Sequence, residues 1–333
     1  MRAAQSQLKL LRHRPLAAPS HARALSTRVV AAKAPADEVL RSISVNGEVA
    51  VLVARATGIV GDAASRQRTS PTATAAVGRA MVAGVLLCGF RRENEQVQVT
   101  FRGDGELGQL SVIADSRCRV KAYVSNPSCD PPLRPDGKLN VGGAVGRGTL
   151  TVVRLNPDLP PYSGTVELVS GEIGDDCAHY LQTSEQQSSC AVGLGVKLNR
   201  SLDVVAAGGF LVQCLPFVSD ETLTLLERNL TSLPPITTLL SEGLDPAAVT
   251  ERILAGLGVS EGAQTRIPSY GPCDENDLRA RMQKACLALG ADELRRIYDA
   301  EGKLEVRCDY CCTTLQLDGA ALIAAASKAA AAA

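Results

Sequence analysis

The stretch "VTFRGDGELGQLSVIAD", residues 99–115, decides between two folds. Gly103, Gly105 and Gly108 satisfy G-x-G-x-x-G, a pattern that seats a pyrophosphate when a helix begins at its end. After Gly108 the chain instead reads "QLSVIAD", apolar and polar residues alternating with period two, which is the mark of a strand. "QVQVTF", just before the glycines, alternates in the same way. Two alternating runs around a turn bearing Gly and Asp read as an antiparallel hairpin, and no cofactor loop is expected there.

The same period continues on both sides. "RVKAYV" (119–124), "TLTVVRL" (149–155) and "GTVELVSG" (164–171) read as strands, and "GDDCAHYLQTSEQ" (174–186) as a helix. "AVGLGVKLN" (191–199) and "DVVAAGGFLVQCLP" (203–216) then close a mixed α/β domain near Pro216. Upstream, a helical start is expected after Asp37, followed by "ISVNGEVAVLVARAT" (43–57), alternating about Asn46-Gly47. "SPTATAAVGRAMVAGVLLCGF" (70–90) predicts a helix with Ser70 as N-cap, Pro71 at the first helical position and Gly89 near the stop. Its apolar run is short and preceded by Arg79, which suits a buried helix of a soluble protein rather than a membrane span.

Aromatic residues make up 3% of the chain and Trp is absent, so the core must be built from Ala, Val, Leu and Ile. Residues 1–36 read differently from the rest: Arg2, Lys9, Arg12, Arg14, Arg23, Arg28 and Lys33, and no acid before Asp37. That is the composition of an organelle transit peptide. "VVAAKA" (29–34) resembles the cleavage region of green-algal chloroplast peptides, with a mitochondrial address as the alternative. The whole chain balances 35 basic against 35 acidic residues; without those seven basics the mature protein carries a net charge of −7. Neutralising phosphates takes clustered Lys and Arg, so specific nucleic-acid binding is disfavoured.

Of three histidines, His13 and His21 lie in the basic leader, leaving His179. Any metal site must therefore rest on cysteine. The eleven cysteines are odd in number in a long chain, which points to reduced thiols, metal ligands or a redox switch rather than a secreted disulfide framework. Cys88, Cys118, Cys129, Cys177, Cys190 and Cys214 are scattered singly through the α/β region and read as packing. Glu172, Asp175, Asp176, His179 and Glu185 concentrate in one segment. No nucleophile or metal set accompanies them, so Asp175 and Asp176 read as helix N-terminal acids, with His179 and Glu185 on the helix's solvated side.

Beyond Ser219 the pattern turns helical, with "SDETLTLLERNLTSL" (219–233) and "DPAAVTERILAGLG" (245–258) forming a connecting segment of modest apolar faces and limited independent stability. From Tyr270 two helices end at Gly290 and Gly302, and then comes "KLEVRCDYCCTTLQL" (303–317). Cys308 and Cys311 form a C-x-x-C pair between two short strands. A thioredoxin-type pair would open a helix instead. A thiolate pair on a hairpin is half of a tetrahedral zinc site. Upstream, "SYGPCDENDLRARM" supplies Cys273 as a third thiolate; Cys312, Cys286 and Asp274 are the candidates for a fourth ligand. The alanine-rich end, 319–333, shows no evident chemistry.

These residues carry a resemblance to the heat shock protein 33 family of redox-regulated holdase chaperones. It runs from about Asp37 to Leu317 through "FRGDGELGQLSVIAD", "GTVELVSGEIGDDCAHYLQTSEQ", "AAGGFLVQCLP" and "VRCDYC", in family order. The resemblance implies a non-enzymatic, ATP-independent chaperone that binds unfolding clients under oxidative stress. It also implies a C-x-C and a C-x-x-C that hold zinc when reduced, form disulfides when oxidised, and then let the metal unit and helical linker unfold. Here Gly271 stands where the family has its first cysteine. The expected ligands are Cys273, Cys308 and Cys311, and the expected disulfide joins Cys308 to Cys311.

The resulting fold class is α+β, with a transit peptide at 1–36 and a mixed α/β core with mainly antiparallel sheet at 37–218. A helical linker at 219–268, a Cys-rich zinc-type unit at 269–318 and the alanine tail complete it. Expected partners are unfolded proteins, with neither membrane nor specific nucleic acid, and a homodimer is allowed for on oxidation. Two rivals come from other classes. A zinc-ribbon adaptor for a protein or RNA would need a basic or aromatic patch in the C-terminal unit; a thiol oxidoreductase would turn over Cys308 and Cys311.

Overall fold

In a computed structural model the chain is described over residues 35–185, 189–271, 273 and 275–331. The basic leader at 1–36 therefore lies outside the described residues, apart from Pro35 and Ala36. From Asp37 the chain enters β1 (Glu38–Ile43), which turns at Asn46-Gly47 into β2 (Val49–Arg55) with antiparallel register Glu38↔Arg55 to Ile43↔Ala50. The helical start expected after Asp37 is thus a strand. Val39 and Ile43 are β-branched, and β1 has strand partners on both edges, which outweighs its weak helical signal.

Next come α1 (Thr57–Gln67) and α2 (Pro71–Cys88). Helix α2 begins and ends as its sequence predicts: Ser70 Oγ accepts from Ala73 N at 3.2 Å, and Gly89 is the C-cap. The chain continues through β3 (Gln96–Gly103), β4 (Gln109–Asp115), β5 (Arg119–Val124), α3 (Val141–Val145), β6 (Gly148–Asn156) and β7 (Leu159–Glu167). Strand β7 lies earlier than "GTVELVSG" suggested; the chain leaves the sheet at Glu167. Helix α4 (Ile173–Ser184) and strands β8 (Cys190–Leu198) and β9 (Val204–Cys214) finish this part.

The G-x-G-x-x-G segment is the β3–β4 turn, with antiparallel pairing from Gln96↔Asp115 to Arg102↔Gln109. Its glycines serve packing. A Cβ on Gly103 would lie 1.7 Å from the Val145 carbonyl oxygen, so α3 can close over this turn because that atom is missing. Gly105 N and Leu107 N then donate to the carbonyls of Val145 and Ala144.

The remaining elements are α5 (Asp220–Ser232), α6 (Ile236–Ser241), α7 (Pro246–Ile253), β10 (Gln264–Arg266) and β11 (Ser269–Tyr270). After them come α8 (Glu275–Leu287), α9 (Ala291–Glu301), β12 (Leu304–Arg307), β13 (Thr314–Leu317) and α10 (Gly319–Ala331). The strands form one sheet in the order β10-β1-β2-β9-β8, a second in the order β11-β5-β4-β3-β6-β7, and the hairpin β12-β13. Pairing is antiparallel except for β11 on β5.

This layout produces three apolar clusters. Helix α2 contacts both sheets and contributes Val77, Met81, Val85 and Leu86 to the largest cluster, with Val99, Phe101, Leu110 and Leu150 from the second sheet. Among the described residues it is the one helix long and apolar enough to cross a membrane, and it is buried inside the fold. The other face of the first sheet, Val49, Val51, Val53, Ala206 and Val212, is covered by Leu226, Ile236, Leu239, Leu240, Val249 and Ile253 of α5–α7. Those helices draw their stability from the sheet, at about 1.5–3 kcal/mol per buried Leu or Ile side chain. The third cluster joins α8, α9 and β12-β13, and includes Leu322 and Ala326 of α10. The low-complexity alanine-rich end, in which the sequence shows no evident chemistry, is therefore a helix with a buried face over this part of its length.

Candidate metal and thiol centre

The C-terminal unit is small, and its sulfur atoms are part of its core. Leu278 of α8, Leu294 of α9, and Leu304, Leu315 and Leu317 of the hairpin surround Cys308 and Cys311, which are 5% and 3% exposed. Strands β12 and β13 pair from Leu304↔Leu317 to Arg307↔Thr314, and the cysteines fill the turn between them. That turn is closed by two backbone bonds: Cys308 N donates to Thr313 O at 3.0 Å, and Cys312 N to Cys308 O at 2.8 Å. Cys312 adopts the left-handed conformation at φ 55, which lets the chain reverse tightly enough to present Cys308 and Cys311 together.

Cys273 approaches from the other side, between β11 and α8. The sulfur atoms of Cys273, Cys308 and Cys311 all lie within 4.8 Å of one another. This is the set the sequence singled out. Of the fourth-ligand candidates, Cys286 is buried in the same cluster and Cys312 is half-buried, and neither joins the converging set. Asp274 lies outside the described residues, as does Pro272.

The electrostatics favour an anion at Cys308. Its thiol is drawn well below the usual cysteine range, first by a hydrogen bond from Cys273 and then by the backbone N–H groups of Cys311 and Tyr310. The same hydrogen bond, with burial, pushes Cys273 up, so of this pair Cys308 ionises first. Lys121 stands near enough to Cys273 to favour its thiolate, and Arg66 interacts with Cys311.

A tetrahedral zinc with bonds of about 2.3 Å sets its sulfurs about 3.8 Å apart. Three sulfurs already inside 4.8 Å, buried and with one predisposed to ionise, fit three corners of such a site. Among the described residues no fourth cysteine, histidine or carboxylate completes it.

The centre also touches the core. Tyr310, inside the C-x-x-C, offers its carbonyl to Tyr270 Oη and to Gln67 Nε2, the latter at 3.4 Å. Its ring lies 6.2 Å from that of Tyr123, and Lys121 Nζ sits 5.2 Å above it. Gly271 N donates to Val120 O at 3.0 Å. Sequence reasoning missed these contacts; the only local signal was a tyrosine between two cysteines.

The other expected groups are structural. Cys88, Cys118, Cys129 and Cys177 are buried in the main core; burial pushes the thiols of Cys88 and Cys118 up to about 12 and about 11. Cys190 and Cys214 are half-buried. In the acidic segment Glu172 pairs with Arg79 and Arg134. Asp176 is fully buried and accepts from Val169 N and Ser170 N. Glu185, expected on a solvated face, is instead held by Arg154 and Arg91 with a side chain only 12% exposed. Its place just past α4 turns it inward toward two cations.

Comparison with known proteins agrees with this geometry. The family model described as "Hsp33 protein" matches residues 37–318. The "33 kDa chaperonin" of Desulforamulus reducens is 35% identical over 282 residues, covering 85% of this chain and 94% of that one. The "33 kDa chaperonin" of Thermus thermophilus is 42% identical over 283 residues, covering 82% of each. The crystal structure of the Thermotoga maritima 33 kDa chaperonin (heat shock protein 33 homolog) superposes with a TM-score of 0.80 at 30% identity, covering 88% of this chain and 99% of that one. With the thiol centre, the two sheets and the family model in register from residue 37 to 318, the chain belongs to the Hsp33 family of chaperones.

Proposed function

We propose that this chain is an ATP-independent holdase whose client binding is held off while its C-terminal thiols are reduced, and that it works in an organelle, the chloroplast first. The observation that carries the reading is the double duty of the thiol turn: the same residues form the core of the small unit and its contact with the sheets. Zinc, when bound, would supply a Lewis-acidic centre that keeps Cys273, Cys308 and Cys311 deprotonated and cross-links the hairpin to the start of α8. Structural zinc is worth about 10–16 kcal/mol of apparent binding energy in small domains, more than so small an apolar cluster supplies by itself.

The oxidation step needs only this chain's thiols and a peroxide. Cys308 and Cys311 together give up two electrons, with two protons from the thiols themselves or, where they react as thiolates, from solvent; a sulfur–sulfur bond forms between them, the peroxide O–O bond breaks, and two waters result. A disulfide sulfur is a far poorer metal ligand than a thiolate, so the cross-link to Cys273 is lost with it. The C-terminal unit then loosens, and the helices α5–α7, which depend on the sheet beneath them, are exposed to competition from client chains. An oxidoreductase role is disfavoured by the near-complete burial of both cysteines and by their place on a hairpin. The organelle reading rests on the basic, acid-free composition of residues 1–36.

The test is aggregation of chemically unfolded citrate synthase followed by light scattering, with reduced and with peroxide-treated protein and no ATP. Suppression should be weak with the reduced protein and strong after oxidation at mild heat. Equal suppression by both forms removes the redox gate.

A further inference from the structure

The outer edge of β5 presents three backbone carbonyls, those of Cys118, Val120 and Ala122, and each has a different donor. Ser269 N–H reaches Cys118 O at 3.2 Å and Gly271 N–H reaches Val120 O at 3.0 Å. Gln67 Nε2 reaches Ala122 O at 2.6 Å. The two backbone donors come from β11 and the residue after it, in the parallel register Ser269↔Arg119 and Tyr270↔Val120.

A strand of two residues has little hold of its own. Ser269 is exposed, and Ile267 just before it is 77% exposed. Tyr270 rests on the main core under Arg66, 5.0 Å from its ring, and the thiol turn adds the polar hold: Tyr270 Oη donates to the Tyr310 carbonyl and Gln67 donates to the same oxygen. Tyr310 also caps the outward face of β5 with its ring, against Lys121 and Tyr123. Its own peptide lies inside the ring that a Cys308–Cys311 disulfide would close, so forming that bond re-aims the carbonyl that holds the latch.

We propose that the edge of β5 is a docking site for an extended segment of an unfolded polypeptide, with Ser269–Gly271 as its built-in occupant in the reduced protein. The segment seated there shows what fits: extended backbone, bonded main chain to main chain. An edge strand with outward carbonyls at alternate residues is a template for a further strand and reads little sequence, as a binder of many unfolded chains requires. The half-buried ring of Tyr123 and the stem of Lys121, both covered by Tyr310 in the reduced protein, would add apolar contact on one face once Tyr310 moves away. The identity of the occupant rests on the chaperone reading; the latch geometry does not.

The experiment uses full-length protein in three forms: reduced wild type, oxidised wild type, and a reduced Tyr270→Phe/Gln67→Ala variant that lacks both donors to Tyr310. The probe is a fluorescein-labelled octapeptide alternating threonine and valine between terminal lysines, alongside the same peptide N-methylated at every interior residue. Oxidised wild type and the reduced variant should bind the plain peptide at least tenfold more tightly than reduced wild type. N-methylation should cost at least tenfold, and the plain peptide should slow hydrogen exchange across Arg119–Val124. If oxidised protein suppresses aggregation but binds both peptides equally, or without slowing at β5, the docking site is wrong and the chaperone reading stands. If oxidised protein does not suppress aggregation while the reduced variant binds the plain peptide at β5, the redox reading fails and the docking site stands. Absence of peptide binding in every form overturns the proposal.

Discussion

Cys308 takes hydrogen bonds from the Cys273 thiol and from two backbone amides, and its sulfur is one of three converging ligands. Replacing it with serine leaves two sulfurs. Sharing about 10–16 kcal/mol among four ligands gives roughly 2.5–4 kcal/mol for each, so Cys308→Ser should weaken zinc at least about a hundredfold. Competition with a chromophoric chelator measures this, and hydrogen exchange over Tyr270–Leu317 should quicken even in reductant. Unchanged affinity and protection would mean the unit folds without metal. Gly271, where the family places another cysteine, gives a second test. A Cβ there would sit 3.3 Å from Cys273 N, close enough that the backbone must give by a few tenths of an ångström, and the backbone sits at φ +145, which L side chains rarely adopt. A strain of about 1–2 kcal/mol set against one new ligand predicts that Gly271→Cys tightens zinc by only about one order of magnitude. Equal affinity of both proteins would place a fourth ligand already at the site.

At the scale of elements, burial decides what a truncation costs. Leu239 on α6 is fully buried against the first sheet, so Leu239→Ala should cost about 2–5 kcal/mol and raise dye binding by the reduced protein as α5–α7 loosen. Unaltered dye binding would show that these helices do not screen the sheet. Leu322 on α10 is 6% exposed in the thiol cluster, and Leu322→Ala should destabilise that unit by about 2 kcal/mol or more, read by faster exchange in β12 and β13. Elements with local signals were legible: α2 from Ser70-Pro71 and Gly89, the β3–β4 hairpin from alternation around its glycines, and β12-β13 from the flanks of the C-x-x-C. Those fixed from afar were not. Helix α1 is started by Asp37, whose carboxylate accepts from Gly58 N and Ile59 N, and it ends on Arg68 in the left-handed conformation rather than on a glycine. Strand β1 owes its form to neighbours on both edges, and α10 to a cluster built mostly before it in the chain. The three sulfurs were legible from type and spacing together with the family resemblance. Their docking was not, because Gln67 and Tyr310 lie 243 positions apart.

Across the whole molecule, the small thiol unit and the large core share one set of contacts, through β10 on β1, β11 on β5 and Tyr310 on both Tyr270 and Gln67. Losing the thiol turn therefore removes the Tyr310 contacts to β11, β5 and the end of α1. The edge of β5, with Lys121 and Tyr123 beneath the Tyr310 ring, is the surface that such a loss bares. In the proposed mechanism, the oxidation state of Cys308 and Cys311 sets the folding of everything beyond the core. The most direct measurement is metal content and hydrogen exchange on one sample, before and after peroxide at mild heat. About one zinc per reduced chain and slow exchange over Gln264–Leu317 are expected, with both lost together on oxidation. Oxidised protein with a Cys308–Cys311 disulfide and undiminished protection over Gln264–Leu317 would contradict this mechanism.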